Sequence, residues 1–370
     1  MNLWFVFLFA ATLTILAIGL TLYEHKKTRK FLGYPKASFV IPTFNDEKTI
    51  ARTIKSIYES YPKGKSSVIV INDASTDGTS DILKALQKKY HFVLKNNASN
   101  LGKVQSINSV LPLCKGEIVF MIDTDIIVNK GSLRDIISRF QNDECVGAVS
   151  SKYKICNSGI FSGMQELEYN MNTFFTGALS SISSLFLWGG CMAMRRSVLM
   201  KEGFFDRRWL CEDLEYALRL NSRGYRVEQS LVGVQTFTES SINGWFKQRW
   251  RWNSGLFQAI FQYPRTFFTH PIFILFFFGF PLTTLAGMQA SSSSFSLIPS
   301  LILSLSWMVL SLPYAFFHGY AHRSILRQGL LVVPYVLIYL PIYGLFYLPS
   351  FFRGAYRYFT LSSNEIGWRG

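Results

Sequence analysis

The chain has 370 residues, 49% of them hydrophobic, with 38 Lys and Arg against 23 Asp and Glu, a formal net charge of +15. The apolar residues gather toward the two ends, which excludes a simple soluble globule. Positive charge of this size would admit nucleic-acid binding, but no zinc-finger, RNA-recognition or helix-turn-helix pattern accompanies it, and much of it lies beside hydrophobic segments, where anionic lipid headgroups account for it.

Residues 2–22 carry no charge and are long enough to cross a bilayer core as a helix, so residues 1–24 are expected to form an N-terminal transmembrane anchor. A cleavable signal peptide would need a basic region before this stretch and small residues after it, and neither is present. His25, Lys26, Lys27, Arg29, Lys30 and Lys36 follow, a cluster expected to stay on the cytoplasmic side. Cys114, Cys145, Cys156, Cys191 and Cys211 lack metal-ligand spacing, so reduced thiols are expected, with neither disulfides nor zinc.

From 37 to about 235, strands and helices alternate, the pattern of an α/β layer structure with a mostly parallel sheet. Residues 37–41 predict a strand stopped by Pro42, after which Asn45 or Asp46 can cap a helix to about 58 with Ile50, Ile54 and Ile57 on one face. A second strand over 68–71 enters a turn of short polar side chains, 72–79, where Thr79 or Ser80 can cap a helix over 81–90. A third strand, 92–95, leads through an Asn-rich loop to Gly102 and Lys103. The apolar run 119–122 ends in Asp123-Thr124-Asp125, so a buried strand would deliver two carboxylates to a sheet edge. Oxygen ligands at that spacing suit a hard cation such as Mg²⁺ or Mn²⁺, although Asp is also common in solvated turns. Loops at the carboxyl ends of parallel strands line the crevice of such sheets, so Asp73, Lys103, Asp123 and Asp125 should converge on an edge that suits a nucleotide.

Pro42-Thr43-Phe44-Asn45-Asp46, Asn72-Asp73-Ala74-Ser75-Thr76-Asp77, Gly102-Lys103, Asp123-Thr124-Asp125, Glu212-Asp213 and Gln248-Arg249-Trp250-Arg251-Trp252 occur in that order. The series resembles the family 2 inverting glycosyltransferases of GT-A fold, in particular the membrane-embedded branch with the hyaluronan, chitin, poly-N-acetylglucosamine and cellulose synthases. The resemblance covers about 38–252. It implies a GT-A domain over 37–240 and a nucleotide-sugar donor, UDP favoured over GDP. Thr43, Asp46, Asp73 and Lys103 would hold the nucleotide, Asp123 the diphosphate sugar, and Asp123 with Asp125 the Mg²⁺ or Mn²⁺. Gly189 and Gly190 fall where a small-residue loop approaches the acceptor. Asn72, Asp46 and Cys211 depart from the commoner residues at their positions, which bears on the substrate more than on activity.

Such transfer needs leaving-group stabilisation, for which the metal and Arg251 are candidates, and a base. Asp213, beside Glu212, is the candidate base; at the start of a helical stretch over 214–222 a carboxylate also has a structural use. Residues 241–265 are aromatic and basic, an interface helix in which Gln248, Arg251 and Trp252 are assigned to the site and Trp245 and Trp250 to the headgroup region. Hydrophobic stretches over 271–288, 297–317 and 330–352 make up a C-terminal membrane region, 271–352, followed by a basic tail, 353–370. Positive-inside counting and the prolines at 334, 341 and 349 leave three or four spans in total. The expectation is a multi-pass protein of the cell membrane with a cytoplasmic catalytic domain. Its acceptor would be a growing polysaccharide or, alternatively, a lipid, and an accessory subunit is compatible with either.

Overall fold

In a computed structural model, residues 19–20, 22–24, 26–180, 182–270, 331, 334–339, 342 and 347–360 are described. The expected membrane segments over 1–24 and 271–352 fall mostly outside them. Among the described residues, no helix is long and apolar enough to cross a membrane.

The elements in chain order are β1 (Ala37–Thr43), α1 (Ile50–Ser60), β2 (Ser66–Asn72), α2 (Thr79–Gln87), β3 (Val93–Asn96), α3 (Lys103–Asn108), β4 (Ile118–Ile122), α4 (Lys130–Asn142), β5 (Val146–Ile155), α5 (Ile160–Leu179), β6 (Cys191–Arg195), α6 (Arg196–Glu202), α7 (Glu212–Ser222), β7 (Arg226–Thr236), α8 (Ile242–Gln262), α9 (Pro264–Phe268) and α10 (Tyr347–Thr360). The seven strands form one sheet in the order β3-β2-β1-β4-β6-β5-β7. Only β6 runs antiparallel to its neighbours β4 and β5; the other pairs are parallel. The expected mostly parallel α/β sheet is therefore present, with one reversed strand that the apolar pattern of residues 191–195 does not announce.

The central strands read as unbroken apolar runs because helices cover both faces. On one face Phe39, Ile41, Phe120 and Ile122 pack against Ile50, Ile54 and Ile57 of α1 and Leu133, Ile136 and Ile137 of α4. On the other, Val40, Met121, Met192 and Met194 meet Val198 and Leu199 of α6 and Tyr216, Ala217 and Leu220 of α7. Phe39 stacks on Phe120 with ring centroids 4.7 Å apart, joining β1 to β4 at the centre. A third cluster, with Leu185, Leu214, Leu218, Ala259, Ile260 and Phe267, fastens α8 and α9 to α7.

Two helix starts differ from expectation. Helix α1 begins at Ile50 with no side-chain cap. The Asp46 carboxylate instead turns back to accept bonds from Thr43 Oγ1, 2.9 Å, and the Phe44 amide, 3.0 Å. Helix α2 begins at Thr79, whose hydroxyl accepts from the Asp46 amide at 2.8 Å rather than capping its own helix. These bonds lock the 43–47 loop to the 73–79 loop.

Candidate active site

The turn after β4 carries the two carboxylates and is held from three sides. Thr53 of α1 donates to the Thr124 carbonyl at 2.6 Å, and Ser56 Oγ accepts from the Val128 amide at 3.1 Å. Ile127 exchanges both backbone bonds with Gln235 at the end of β7. The Asp123 amide donates to the Gly190 carbonyl at 2.8 Å. Asp123 and Asp125 thus stand on a fixed turn at the carboxyl edge of the middle strand.

Across from them, α3 begins at Lys103, after Gly102, whose φ of 83° suits a residue without a Cβ. Lys103 Nζ lies 2.7 Å from Asp123 Oδ1 and 3.7 Å from Glu212 Oε1. Burial works against its ammonium, but the Asp123 and Glu212 charges outweigh that and hold it above the ordinary lysine value. Burial, then the charge of Asp123, pushes the Asp125 carboxyl up to about 6, against a bond from Thr236 Oγ1 at 2.7 Å.

Helix α7 supplies Glu212 and Asp213 in its first turn. Asp213 Oδ2 accepts from the Gly189 amide and Oδ1 from the Leu214 amide, each at 2.8 Å. Burial and the neighbouring Glu212 raise its carboxyl to about 6, with Lys103 and Arg251 opposing. A Cβ on Gly189 would sit 2.6 Å from Asp213 Oδ2, and one on Gly190 would sit 2.8 Å from Tyr153 Oη, so a side chain at either position would displace the loop or the side chain that it meets. Tyr153 Oη accepts from the Gly190 and Cys191 amides at 2.9 and 3.3 Å and fixes the height of this loop.

The expected nucleotide side is adjacent. The Asp73 amide donates to the Thr43 carbonyl at 2.9 Å. Its buried carboxylate accepts from Asn97 Nδ2 at 2.7 Å, the Leu101 amide at 2.9 Å and the Gly102 amide at 2.8 Å, shaping the loop that presents Lys103. Thr43 and Asp46 stand at the neighbouring loop.

From α8, Arg251 Nη1 donates to the Leu210 carbonyl at 3.3 Å, just before α7. The Trp252 ring lies edge-on to Tyr169, centroids 6.2 Å apart, and Tyr169 is edge-on to Tyr153 at 5.9 Å. Gln248 Oε1 accepts from Arg249. Trp245, expected at the headgroups, is 2% exposed; its indole donates to Tyr339 Oη at 2.6 Å, because the α8 face bearing Trp245, Arg249 and Asn253 turns inward. Trp250 remains half-buried, stacked beside Phe246.

Sequence reasoning missed Tyr153, Thr236, Glu168 and Arg249. None of them carried a local signal, because Trp245, whose burial makes a cation four residues later call for a buried partner, reads from the sequence as an interface residue.

Asp123 and Asp125 are two hard oxygen donors brought close enough for the charge of one to raise the carboxyl of the other, and this donor set fits a divalent cation. Among the described residues, no group of three or more His, Cys, Asp or Glu could hold a metal ion.

Residues 38–203 match the family described as Glycosyl transferase family 2. The probable glycosyltransferase YdaM of Bacillus subtilis is 28% identical over 272 residues, covering 66% of this chain and 62% of that protein. The poly-beta-1,6-N-acetyl-D-glucosamine synthase of Staphylococcus aureus (strain COL) is 26% identical over 255 residues, covering 65% and 60%. The chain thus spans about three fifths of the length of these curated relatives. The mannosyltransferase PcManGT from Pyrobaculum calidifontis, solved with GDP-Man and Mn²⁺, shares the fold, with a TM-score of 0.58 at 20% identity over 96% of this chain and 99% of that one.

Proposed function

We propose that this chain, whose residues 38–203 match the family described as Glycosyl transferase family 2, is a membrane-integrated, inverting, metal-dependent glycosyltransferase that extends a polysaccharide from a nucleotide-diphosphate sugar. The observation that carries the reading is the convergence of Lys103, Asp123, Glu212 and Asp213, with the Asp213 carboxyl raised to about 6 and gripped by the Gly189 and Leu214 amides.

In this reading Asp213 takes the proton of the acceptor hydroxyl. The acceptor oxygen bonds to the anomeric carbon as the carbon–oxygen bond to the diphosphate breaks, and the configuration inverts. Lys103 and Arg251 supply fixed positive charge toward the departing diphosphate, in a site pre-arranged by the Asp73-held loop and α8. Trp252 offers a flat face to the acceptor ring. A bound Mg²⁺ or Mn²⁺, held by Asp123 and Asp125, would supply Lewis-acid neutralisation of the diphosphate. The multi-pass membrane placement, with the catalytic domain on the cytoplasmic side, follows from the sequence of 1–24 and 271–352.

The test is release of nucleoside diphosphate by the full chain in nanodiscs, with Mn²⁺ or Mg²⁺ and a panel of UDP- and GDP-sugars, sizing each product. UDP-N-acetylglucosamine is the first donor to try, as the synthase relative's name suggests. A long glycosidase-sensitive polymer supports the reading. Turnover that needs an added lipid and stops after one or two sugars replaces it with glycolipid synthesis, and silence with every donor overturns it.

A further inference from the structure

The guanidinium of Arg249 is 0% exposed, an unusual place for a cation on a helix expected at a membrane surface. Its Nη2 lies 2.6 Å from Glu168 Oε2 of α5, and its Nε donates to both Glu168 oxygens, at 3.1 and 3.2 Å. Its Nη1 donates to Gln248 Oε1. Its carbon centre stands 4.5 Å from the Trp252 ring centroid, 5.6 Å from that of Tyr169 and 5.8 Å from that of Trp245. The Tyr339 hydroxyl donates to Glu168 and accepts from the Trp245 indole. Tyr339 belongs to the π-helical turn Tyr335–Tyr339, inside the stretch over 330–352 that the sequence assigns to the membrane region.

A planar, five-donor cation is the group that can satisfy a carboxylate, an amide oxygen and a ring face together. The chain of contacts continues from Trp252 through Tyr169 and Tyr153 to the Gly190 amide, one residue from the Gly189 amide that grips Asp213. We propose that Arg249 is a positioning residue for the acceptor: paired to Glu168 and latched through Tyr339, it holds Gln248 and Trp252 in register with the transfer site and makes that register depend on the seating of residues 335–339. The inference rests on the glycosyltransferase reading above and extends it to side chains outside the reacting groups.

The distinguishing readout is the fate of the donor. With a misplaced acceptor platform and an intact donor site, the sugar passes to water instead of acceptor. The full chain in nanodiscs is assayed with UDP-N-acetylglucosamine, Mn²⁺ and a β-linked N-acetylglucosamine tetrasaccharide, scoring transfer, hydrolysis and UDP affinity. Arg249→Lys, which keeps the charge and loses the fork, is expected to lower transfer about 100-fold. It should retain hydrolysis and keep UDP affinity within about twofold. Glu168→Gln and Tyr339→Phe, milder changes, should raise acceptor KM and the hydrolysis-to-transfer ratio in the same sense. Wild-type values for all three variants overturn the inference, as does parallel loss of transfer, hydrolysis and UDP binding, which marks a purely structural role. A wild-type protein that transfers no sugar overturns the parent reading and this one with it.

Discussion

Asp213 has to be ionised to accept a proton, and burial beside Glu212 sets its carboxyl near 6. Below that pH the group is protonated and cannot act; above it the base is present. We therefore expect kcat/KM to rise by about tenfold per pH unit on the acid side and to level off above about 6. Asp213→Asn is expected to lower transfer by about 10²- to 10⁴-fold while UDP binding persists; near wild-type turnover would remove Asp213 from the role.

At the level of elements, the loop before β6 is the tightest joint in the site. Gly189→Ala places a methyl 2.6 Å from Asp213 Oδ2, so either the loop or the base must move. Transfer should fall about 100-fold, with a small change in melting temperature because the clash is at a loop and not in the core. Unchanged turnover would show that the loop yields freely. Strands β1 and β2 were legible because buried parallel strands are written as apolar runs, and the Ile50, Ile54, Ile57 face of α1 was legible from its spacing. Other features were not. The apolar residues of β6 read the same in either direction, so its reversal was hidden. The Asp46 carboxylate had a helix to cap or its own loop to close, and it closes the loop on Thr43 Oγ1 and the Phe44 amide while its backbone amide joins the distant Thr79 hydroxyl. The Asp123/Asp125 turn and Asp213 were found from motif order, but Tyr153, Thr236 and Glu168 act through partners 37, 111 and 81 residues away, which no local spacing encodes.

On the scale of the whole molecule, a buried ionic network joins the segment after the expected anchor to the far side of the sheet. Arg139 of α4, 1% exposed, pairs with Glu228 of β7 at 2.9 Å and with Asp135 at 3.1 Å. Arg29 reaches Glu24 at 2.6 Å and Glu228 at 3.2 Å. Removing Arg139 takes a buried cation from Asp135 while Glu228 keeps Arg29 and Arg226, so Arg139→Met should cost about 3 kcal/mol of stability, the low end for breaking a buried pair, read as a lowered melting temperature; a loss under about 1 kcal/mol would mean that the network is wetter than its burial implies. The strand order bears on deuterium uptake as well. Middle strand β4, covered on both faces, should surrender its amides only when the domain opens globally, whereas edge strand β3, with Val93 56% exposed, frays locally. The carboxylates of Asp123 and Asp125 thus follow the slowest-exchanging strand, while the loop that leads to Lys103 follows one of the fastest. Closing the site over a donor would then be recorded as slowed exchange on the β3 side, with almost no change beneath the acids.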